Sequence, residues 1–379
     1  MSLLSLGTFA VGTDAFVVAG FLPRMSVELD VSLATAGQSL TLFAVAYAVL
    51  SPVLASVTAT VPRRLLLVVA LAVLAIANAG SALAPTFAVL IVSRVVAAAG
   101  AATVTPNAGA VASALVPPGF RGRALAIVVG GLTVATAVGV PLGNLASRAM
   151  GWRTALALVA VLCLVVAIGL GLLLPKLDGG PNLPLRARLS VLRDPAVRAI
   201  LPVTVLGMAA AYTAYAYAVP AFEAVGVPAG DSQWMLFLYG VGAVAGAQSA
   251  GHLTDRFGGV RVLTWGYATM TATLLVLGML AHWHVVVPVL VAVLSLAWGA
   301  SSWCQTPPQQ HRLIGAAPES TALVIALNSS SIYAGIGAGT LIGGLAGATH
   351  PSWLFFSGAV IAVLAGVFLI RTSRRPAAQ

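Results

Sequence analysis

Asp14 and Arg94 are charged residues set inside long apolar stretches, the first in a run from about 3 to 22, the second in a run from about 87 to 109. A charge in the middle of a membrane-spanning helix costs about 2.5–3.5 kcal/mol on insertion scales, so each is a functional candidate by default. At about 1.5 Å of rise per residue, Asp14 lies about 17 Å into its run and Arg94 about 10–12 Å into its own, entered from the other side. In an apolar core about 30 Å thick the two share a depth and can pair. Burial and a neighbouring cation pull the proton affinity of a carboxyl in opposite directions, so an acid placed this way can exchange a proton as its surroundings change. A static partnership with Arg94, or a place at the wet mouth of a cavity, are the competing readings of Asp14.

Around this pair, Gln38, Tyr47, Asn107, Tyr212, Tyr215, Tyr217, Gln248, Trp298 and Asn328 also fall inside apolar runs. Small-molecule sites are mostly apolar and aromatic with a few polar groups, which makes Tyr212, Tyr215 and Asn328 the preferred ligand contacts, with Asn107 and Gln38 beside them. Each also fits an interhelical hydrogen bond or an interfacial anchor. Hydrolytic and metal chemistry find no support. No glycine-rich loop ends in Lys, no Ser, His and acid share one depth, and His282 and His284 stand in a short polar connection without an acid or thiol. Cys163 and Cys304 sit singly inside apolar runs, as small buried residues. The expectation is a protein that is not an enzyme and uses no cofactor.

The elements that must position these residues follow from composition. Hydrophobic residues make up 60% and charged residues 7% of 379 residues, whereas soluble domains carry roughly a quarter charged. Apolar runs of spanning length recur at about 3–22, 36–57, 64–83, 87–109, 124–146, 154–174, 199–220, 232–252, 262–281, 285–305, 320–346 and 353–370. Lipid supplies no hydrogen bonds, so runs of this length are helices. The formal charge of +10 comes from residues scattered between the runs, not clustered on one face, which argues against nucleic acid. Of the 19 Lys and Arg, fifteen fall on one side: Arg63, Arg64, Arg121, Arg123, Lys176, Arg186, Arg188, Arg193, Arg198, Arg256, Arg261, Arg312, Arg371, Arg374 and Arg375. Arg24, Arg148 and Arg153 lie on the other, and Arg94 is within a span. That bias predicts both termini in the cytoplasm. The stretch Met1–Leu22 has no basic start and no small-residue cleavage site, so it reads as a retained first span.

The longest hydrophilic stretch, Pro175–Arg198, divides the chain into halves, and Leu185, Leu189 and Leu192 within it have the spacing of a short interfacial helix; a solvated linker is the alternative. The halves repeat. Gly251-His-Leu-Thr-Asp255-Arg256-Phe-Gly258-Gly-Val-Arg261 answers Ala55–Arg64, and the glycines at 335, 339, 343 and 347 answer Gly139-Val-Pro141-Leu-Gly143. Internal repeats of this kind mark a two-bundle transporter.

The segment Gly251–Arg261 resembles the G-x-L-x-D-R-x-G loop of the major facilitator superfamily, placed between the eighth and ninth spans. Gly251 would allow close helix approach, and Asp255 would cap the next helix or pair with Arg256 or Arg261 as a latch, with Gly258 at the turn. The N-terminal copy keeps only Arg63 and Arg64; Ala59 and Thr60 stand where the acid and first base are expected, so a latch there lacks its carboxylate. Gly130, Gly139, Pro141 and Gly143 resemble the fifth-span motif of the antiporter branch, in which small residues let helices touch and proline bends the span. With Gly12-Thr-Asp14 through Pro23 and Gly151-Trp152-Arg153, the whole chain resembles bacterial drug exporters of the chloramphenicol-efflux and arabinose-efflux type. In that pattern the first-span acid often stands one position later, at Ala15, about 100° around the helix.

The resemblance implies an all-α membrane protein of major facilitator fold, twelve spans in two six-helix bundles: residues 1–175, a cytoplasmic linker at 176–198, a second bundle at 199–371 and a cytoplasmic tail at 372–379. It implies export of a small amphipathic molecule in exchange for protons by a monomer in the inner membrane, with Asp14 and Arg94 coupling the proton. The alternatives are a sugar or metabolite exporter of the same fold and a membrane sensor that binds without transporting.

Overall fold

The computed structural model describes residues 1–117, 120–179, 190–318 and 321–373, and every regular element among them is helical. Twelve long helical elements run back and forth: α1 (Ser2–Gly20), α2 (Leu33–Val57), α3 (Arg63–Ala82), α4 (Phe87–Ala114), α5 (Ala124–Met150), α6 (Trp152–Leu173), α7 (Pro195–Tyr215), α8 (Ser232–Phe257), α9 (Gly259–His282), α10 (Pro288–Ala316), α11 (Leu323–Gly347) and α12 (Trp353–Ser373). Eleven are long and apolar enough to cross a membrane; the other, α8, has the length but carries Gln233, Gln248, His252, Asp255 and Arg256. The start of α1, the start of α3 and the end of α6 lie at one end of the array, called here the terminal face; the opposite end is the far face. The expected linker at 176–198 is described only at its two ends, with a short 3₁₀ turn at Ser190–Arg193; Leu185, Leu189, Arg186 and Arg188 lie outside the described residues, as do Arg374 and Arg375.

Helix starts follow local chemistry. The hydroxyls of Ser32 and Thr86 accept from the amides of Thr35 and Val89 to open α2 and α4, and the Asp194 carboxylate accepts from Ala196 and Val197 to open α7. The breaks are as informative. α1 tightens into a 3₁₀ turn at Val17–Gly20, α5 holds a π-turn at Ala135–Gly139 just before Pro141, and α7 ends at Tyr215 before the short helix Ala218–Ala224. α10 is interrupted at Cys304 and Gln305, ahead of Pro307 and Pro308. The bend expected from Pro141 is thus a π-turn, the usual companion of a missing helical N–H.

The repeat seen in the sequence governs packing. Within the first half α1 packs on α5, α2 on α4 and α3 on α6; within the second α7 packs on α11, α8 on α10 and α9 on α12. The halves meet along two seams related by the same symmetry, α2 with α11 and α5 with α8.

Lipid tails are as apolar as leucine, so close backbone approach carries much of the association of such helices. A Cβ on Gly139 or Gly143 would overlap Thr13 or Val17 of α1, and one on Gly335, Gly339 or Gly343 would overlap α7 at Met208, Ala209 or Thr213. Two expectations are corrected here. Gly130 faces open space, and its neighbour Gly131 makes the contact, against Ser5 and Thr8; Gly251 also faces open space and brings no helices together. In a helix a one-residue step turns the side chain by about 100°, which spacing alone did not place.

Gly299 of α10 lies against the Tyr239 carbonyl of α8, where even a methyl group would overlap backbone. Gly299→Ala is expected to lower the unfolding midpoint of the purified protein by several degrees, from about 1–3 kcal/mol of overpacking, while Gly251→Ala shifts it by no more than about a degree. Scanning fluorimetry in detergent measures both, and equal shifts would contradict this packing.

Candidate functional site

The structure brings Asp14 and Arg94 together. Arg94 Nη1 donates to Asp14 Oδ1 at 2.5 Å, and Nη2 donates to the Asp14 backbone carbonyl at 3.1 Å. Both residues are fully buried. Phe43 of α2 lies beneath the guanidinium, 4.5 Å from Cζ to the ring centroid, a cation–π contact that replaces part of the lost hydration. The pairing is incomplete: Asp14 Oδ2 and Arg94 Nε have no hydrogen-bond partner. In a dry interior an unsatisfied carboxylate oxygen is the position a proton or a ligand donor would fill.

On the other bundle stands an aromatic cluster. Tyr212 and Tyr215 of α7 meet edge-on at 5.0 Å; Tyr215 continues to Tyr239 of α8 at 4.5 Å, and Tyr239 to Trp298 of α10 at 5.1 Å. The expected tyrosine pair is therefore the near end of a longer wall. Two aromatic bridges join it to the charged pair. Phe16, two residues past Asp14, lies 5.9 Å from Tyr212 and 5.8 Å from Trp303. Phe43, under Arg94, lies 6.2 Å from Tyr333 of α11, which stacks on Tyr47 at 3.6 Å. The hydroxyls of Tyr212, Tyr215 and Tyr333 and the indole N–H of Trp298 are buried without a hydrogen-bond partner. Rings with unspent donors around one charged pair form a lining suited to a mostly apolar ligand bearing a few acceptors.

Three other expected ligand contacts lie elsewhere. Gln38 is half-buried one turn into α2 and donates to the Ala34 carbonyl at 3.3 Å. Asn107 accepts from Arg63 Nη1 at 2.8 Å and donates to Thr103. Asn328 accepts from Thr204 at 3.0 Å, eight residues or about 12 Å of helix rise before Tyr212, and Thr204 also accepts from Gln309, whose Oε1 takes a bond from Arg312. The Asn107 and Asn328 amides tie helices together toward the terminal face, the alternative role that polar residues in spans have, while Gln38 bonds within its own helix.

The motif at 251–261 is not a loop. Residues Gly251–Phe257 complete α8, Gly259 opens α9, and the whole turn is Gly258, held at φ 82° where only glycine is unstrained. Asp255, Arg256 and Arg261 are exposed; α9 opens without a side-chain cap, Asp255 makes no ion pair among the described residues, and Arg256 lies over the Phe257 ring at 5.1 Å. In the first half, Arg63 reaches Asn107 and Arg64 Nη2 donates to the Gly171 carbonyl of α6. Neither copy holds the latch pairing in this arrangement.

Phe16, Phe43, Tyr239 and Trp303 were not singled out by sequence reasoning, because one aromatic residue in an apolar run looks like any other; the bridges become visible only once α1, α2, α7, α8, α10 and α11 are placed. Glu28 was also missed: its carboxylate accepts from Trp152 Nε1 at 2.8 Å and from Arg153 Nη1, tying the Gly151-Trp152-Arg153 motif to the short helix Leu22–Glu28 that follows α1. No group of three His, Cys, Asp or Glu that could hold a metal exists among the described residues.

Comparison with known proteins fits this geometry. The model of the Major Facilitator Superfamily matches residues 4–228 and 203–379. A chloramphenicol resistance protein of Streptomyces lividans is 37% identical over 67% of this chain and 66% of its own length. The inner membrane transport protein YdhP of Escherichia coli (strain K12) is 29% identical over 98% of this chain and 95% of its own, and the uncharacterised MFS-type transporter YbcL of Bacillus subtilis (strain 168) is 28% identical over 99% and 96%. Among solved structures, a D-xylose-proton symporter superposes with a TM-score of 0.77 at 17% identity, covering 97% of this chain and 95% of that one, a likeness of fold.

Removing one member of a buried ion pair leaves the other uncompensated, so Asp14→Asn or Arg94→Gln alone is expected to cost about 3–5 kcal/mol of stability. The double variant should cost clearly less than the sum. Chemical unfolding in detergent closes this cycle, and strict additivity would show that the contact carries no energy of its own.

Proposed function

The chain belongs to the major facilitator superfamily, a multi-pass membrane transporter and not an enzyme, and from that premise we propose that it exports small amphipathic molecules in exchange for protons. Transport of this kind draws on an ion gradient and needs no cofactor. The observation that carries the proposal is the dry Asp14–Arg94 pair, open at Asp14 Oδ2 and joined through Phe16 to an aromatic wall of the opposite bundle.

A proton arriving at Asp14 cancels the charge that holds Arg94, and the guanidinium must then find another acceptor. Because Phe43 and Phe16 couple the pair to Tyr333 and Tyr212 across the seam, that local change is also a change in how the bundles meet. Substrate and proton would so compete for one arrangement, which is what exchange requires. The bundles rock as units about the centre, exposing it to each side in turn. Tyr212 and Tyr215 serve as substrate contacts, and Asp255, Arg256 and Arg261, with Arg63 and Arg64, gate the terminal face as the helix ends that carry them draw together. The similarity to a chloramphenicol resistance protein makes phenicols the first substrates to test. The distribution of Lys and Arg supports placement in the inner membrane with both termini cytoplasmic. One chain holds both bundles and the whole central lining, which supports action as a monomer.

In inverted vesicles with an imposed pH gradient, chloramphenicol uptake is expected to collapse on adding an uncoupler and to be lost in Asp14→Asn. Tyr215→Phe keeps the ring and removes the hydroxyl, and is expected to raise the half-saturating concentration by up to about tenfold at unchanged coupling. Gradient-dependent uptake that survives in Asp14→Asn would remove the proton role of this carboxyl, and binding without accumulation would remove transport of that compound.

A further inference from the structure

A groove of about 460 Å³ opens on the outside of the first bundle, between α3 and α6 at the terminal face, well away from the central lining. Its walls are Leu65, Val68, Gly171 and Leu177; Arg64, Lys176 and Asp178 stand at its polar end, with Pro62 closing it. The surface beside it, with Leu65, Val69, Leu172 and Leu173 each at least half exposed, is one that only a bilayer can cover. An apolar cleft facing lipid, with two cations and one carboxylate where the helices leave the membrane, has the layout of an acyl chain below and a phosphate above.

We propose that this groove is a binding site for an anionic phospholipid, one acyl chain lying along Leu65 and Val68 and the headgroup phosphate set between Lys176 and Arg64. The seat is built. Arg64 is half-buried and fixed by its bond to the Gly171 carbonyl, and the chain after α6 is tied to α3 by the Arg63 amide, which donates to the Leu177 carbonyl at 2.9 Å. Arg63 itself turns inward to Asn107, so its charge belongs to the bundle interior. Lys176 and Asp178 are both exposed at the polar end; two cations against one carboxylate leave it net positive, which favours an anionic headgroup, and Asp178 weakens that preference by like-charge repulsion. The groove also joins the start of α3 to the end of α6, the two ends of a four-helix stretch, so an occupied site would staple the first bundle where it meets the connection to the second.

The test uses the full-length purified chain in neutral detergent, titrated separately with phosphatidylglycerol and phosphatidylcholine of matched chains, the adducts being counted by native mass spectrometry. Phosphatidylglycerol is expected to bind in preference. Lys176→Gln should weaken it about fivefold, the worth of one basic residue near an anionic surface, and Asp178→Asn should strengthen it by a similar factor. Both positions are exposed, so neither change threatens folding. Val68→Trp, which fills the cleft from its lipid side, should abolish the first adduct of either lipid. Equal retention of both lipids, or a first adduct indifferent to all three substitutions, would overturn the site. Displacement by glycerol phosphate at equal concentration would overturn the assignment to a membrane lipid.

Discussion

A bilayer core gives a polypeptide nothing to hydrogen-bond with, and in this chain every departure from a plain helix is shaped by that constraint. Side-chain hydroxyls fold back on carbonyls of their own helix or cross to the next, as Thr8 does to Val128 at 2.5 Å and Ser5 to Ile127 at 2.9 Å. Close approach falls to glycine and alanine, because only there can backbones touch without excluding a polar group from its partner. The interruptions in α1, α5, α7 and α10 fall on helices that line the centre or the seams between bundles, where other protein, not lipid, surrounds the freed backbone. The same constraint makes the Asp14–Arg94 pair consequential: neither charge could stay in place without the other, so their union fixes how α1 and α4 meet.

The two halves repeat in helix pairing but not in chemistry. The first bundle supplies the ion pair, and the second supplies the rings and most of the unspent donors; the central lining exists only where the two face each other. Phe16 and Phe43 are the aromatic contacts between the two, so under the proposed exchange one bundle would hold the coupling charge and the other would read the ligand without the two sharing a residue.

Much of this was legible in the sequence, for identifiable reasons. Hydropathy and the bias of Lys and Arg reveal spans because transfer free energies are large and local. Depth along a helix follows from rise per residue, so the meeting of Asp14 and Arg94 could be anticipated from two positions 80 apart. Rotation about the helix axis is less forgiving. The role expected of Gly130 belongs to Gly131, and Asn107 and Asn328, with the right chemistry for a ligand, point into interhelical ties because Arg63 and Thr204 claim them first. The motif at 251–261 reads as a loop because it is polar, but α8 and α9 run through it as far as Gly258, since polar residues beyond the apolar core cost a helix little.

The proposed exchange would part the molecule along its seams. Within each bundle the contacts are dry and glycine-tight, so separating α1 from α5 or α7 from α11 would expose backbone. Between bundles backbones also approach closely, as Gly240 of α8 does to Ala137 of α5, but polar and charged side chains join the contact. Tyr217 crosses from the second bundle into the seam of α2 and α11, lies against Gly37 and Gly344, and donates to the Thr340 carbonyl at 3.1 Å. At the far face Arg148 sits among Arg24, Glu223 and Asp231, charges drawn from both halves. Solvated charges give up their partners to water at little net cost, because water replaces each contact that is lost. The six-helix bundle is the self-contained packing unit, and the plane between two of them combines close backbone approach with charged groups at the far face. Opening the far side would part Tyr217 from Gly37, while it keeps its bond to Thr340, would separate Arg148 from Glu223 and Asp231, and would loosen Gly240 from Ala137, with each bundle's own packing kept whole.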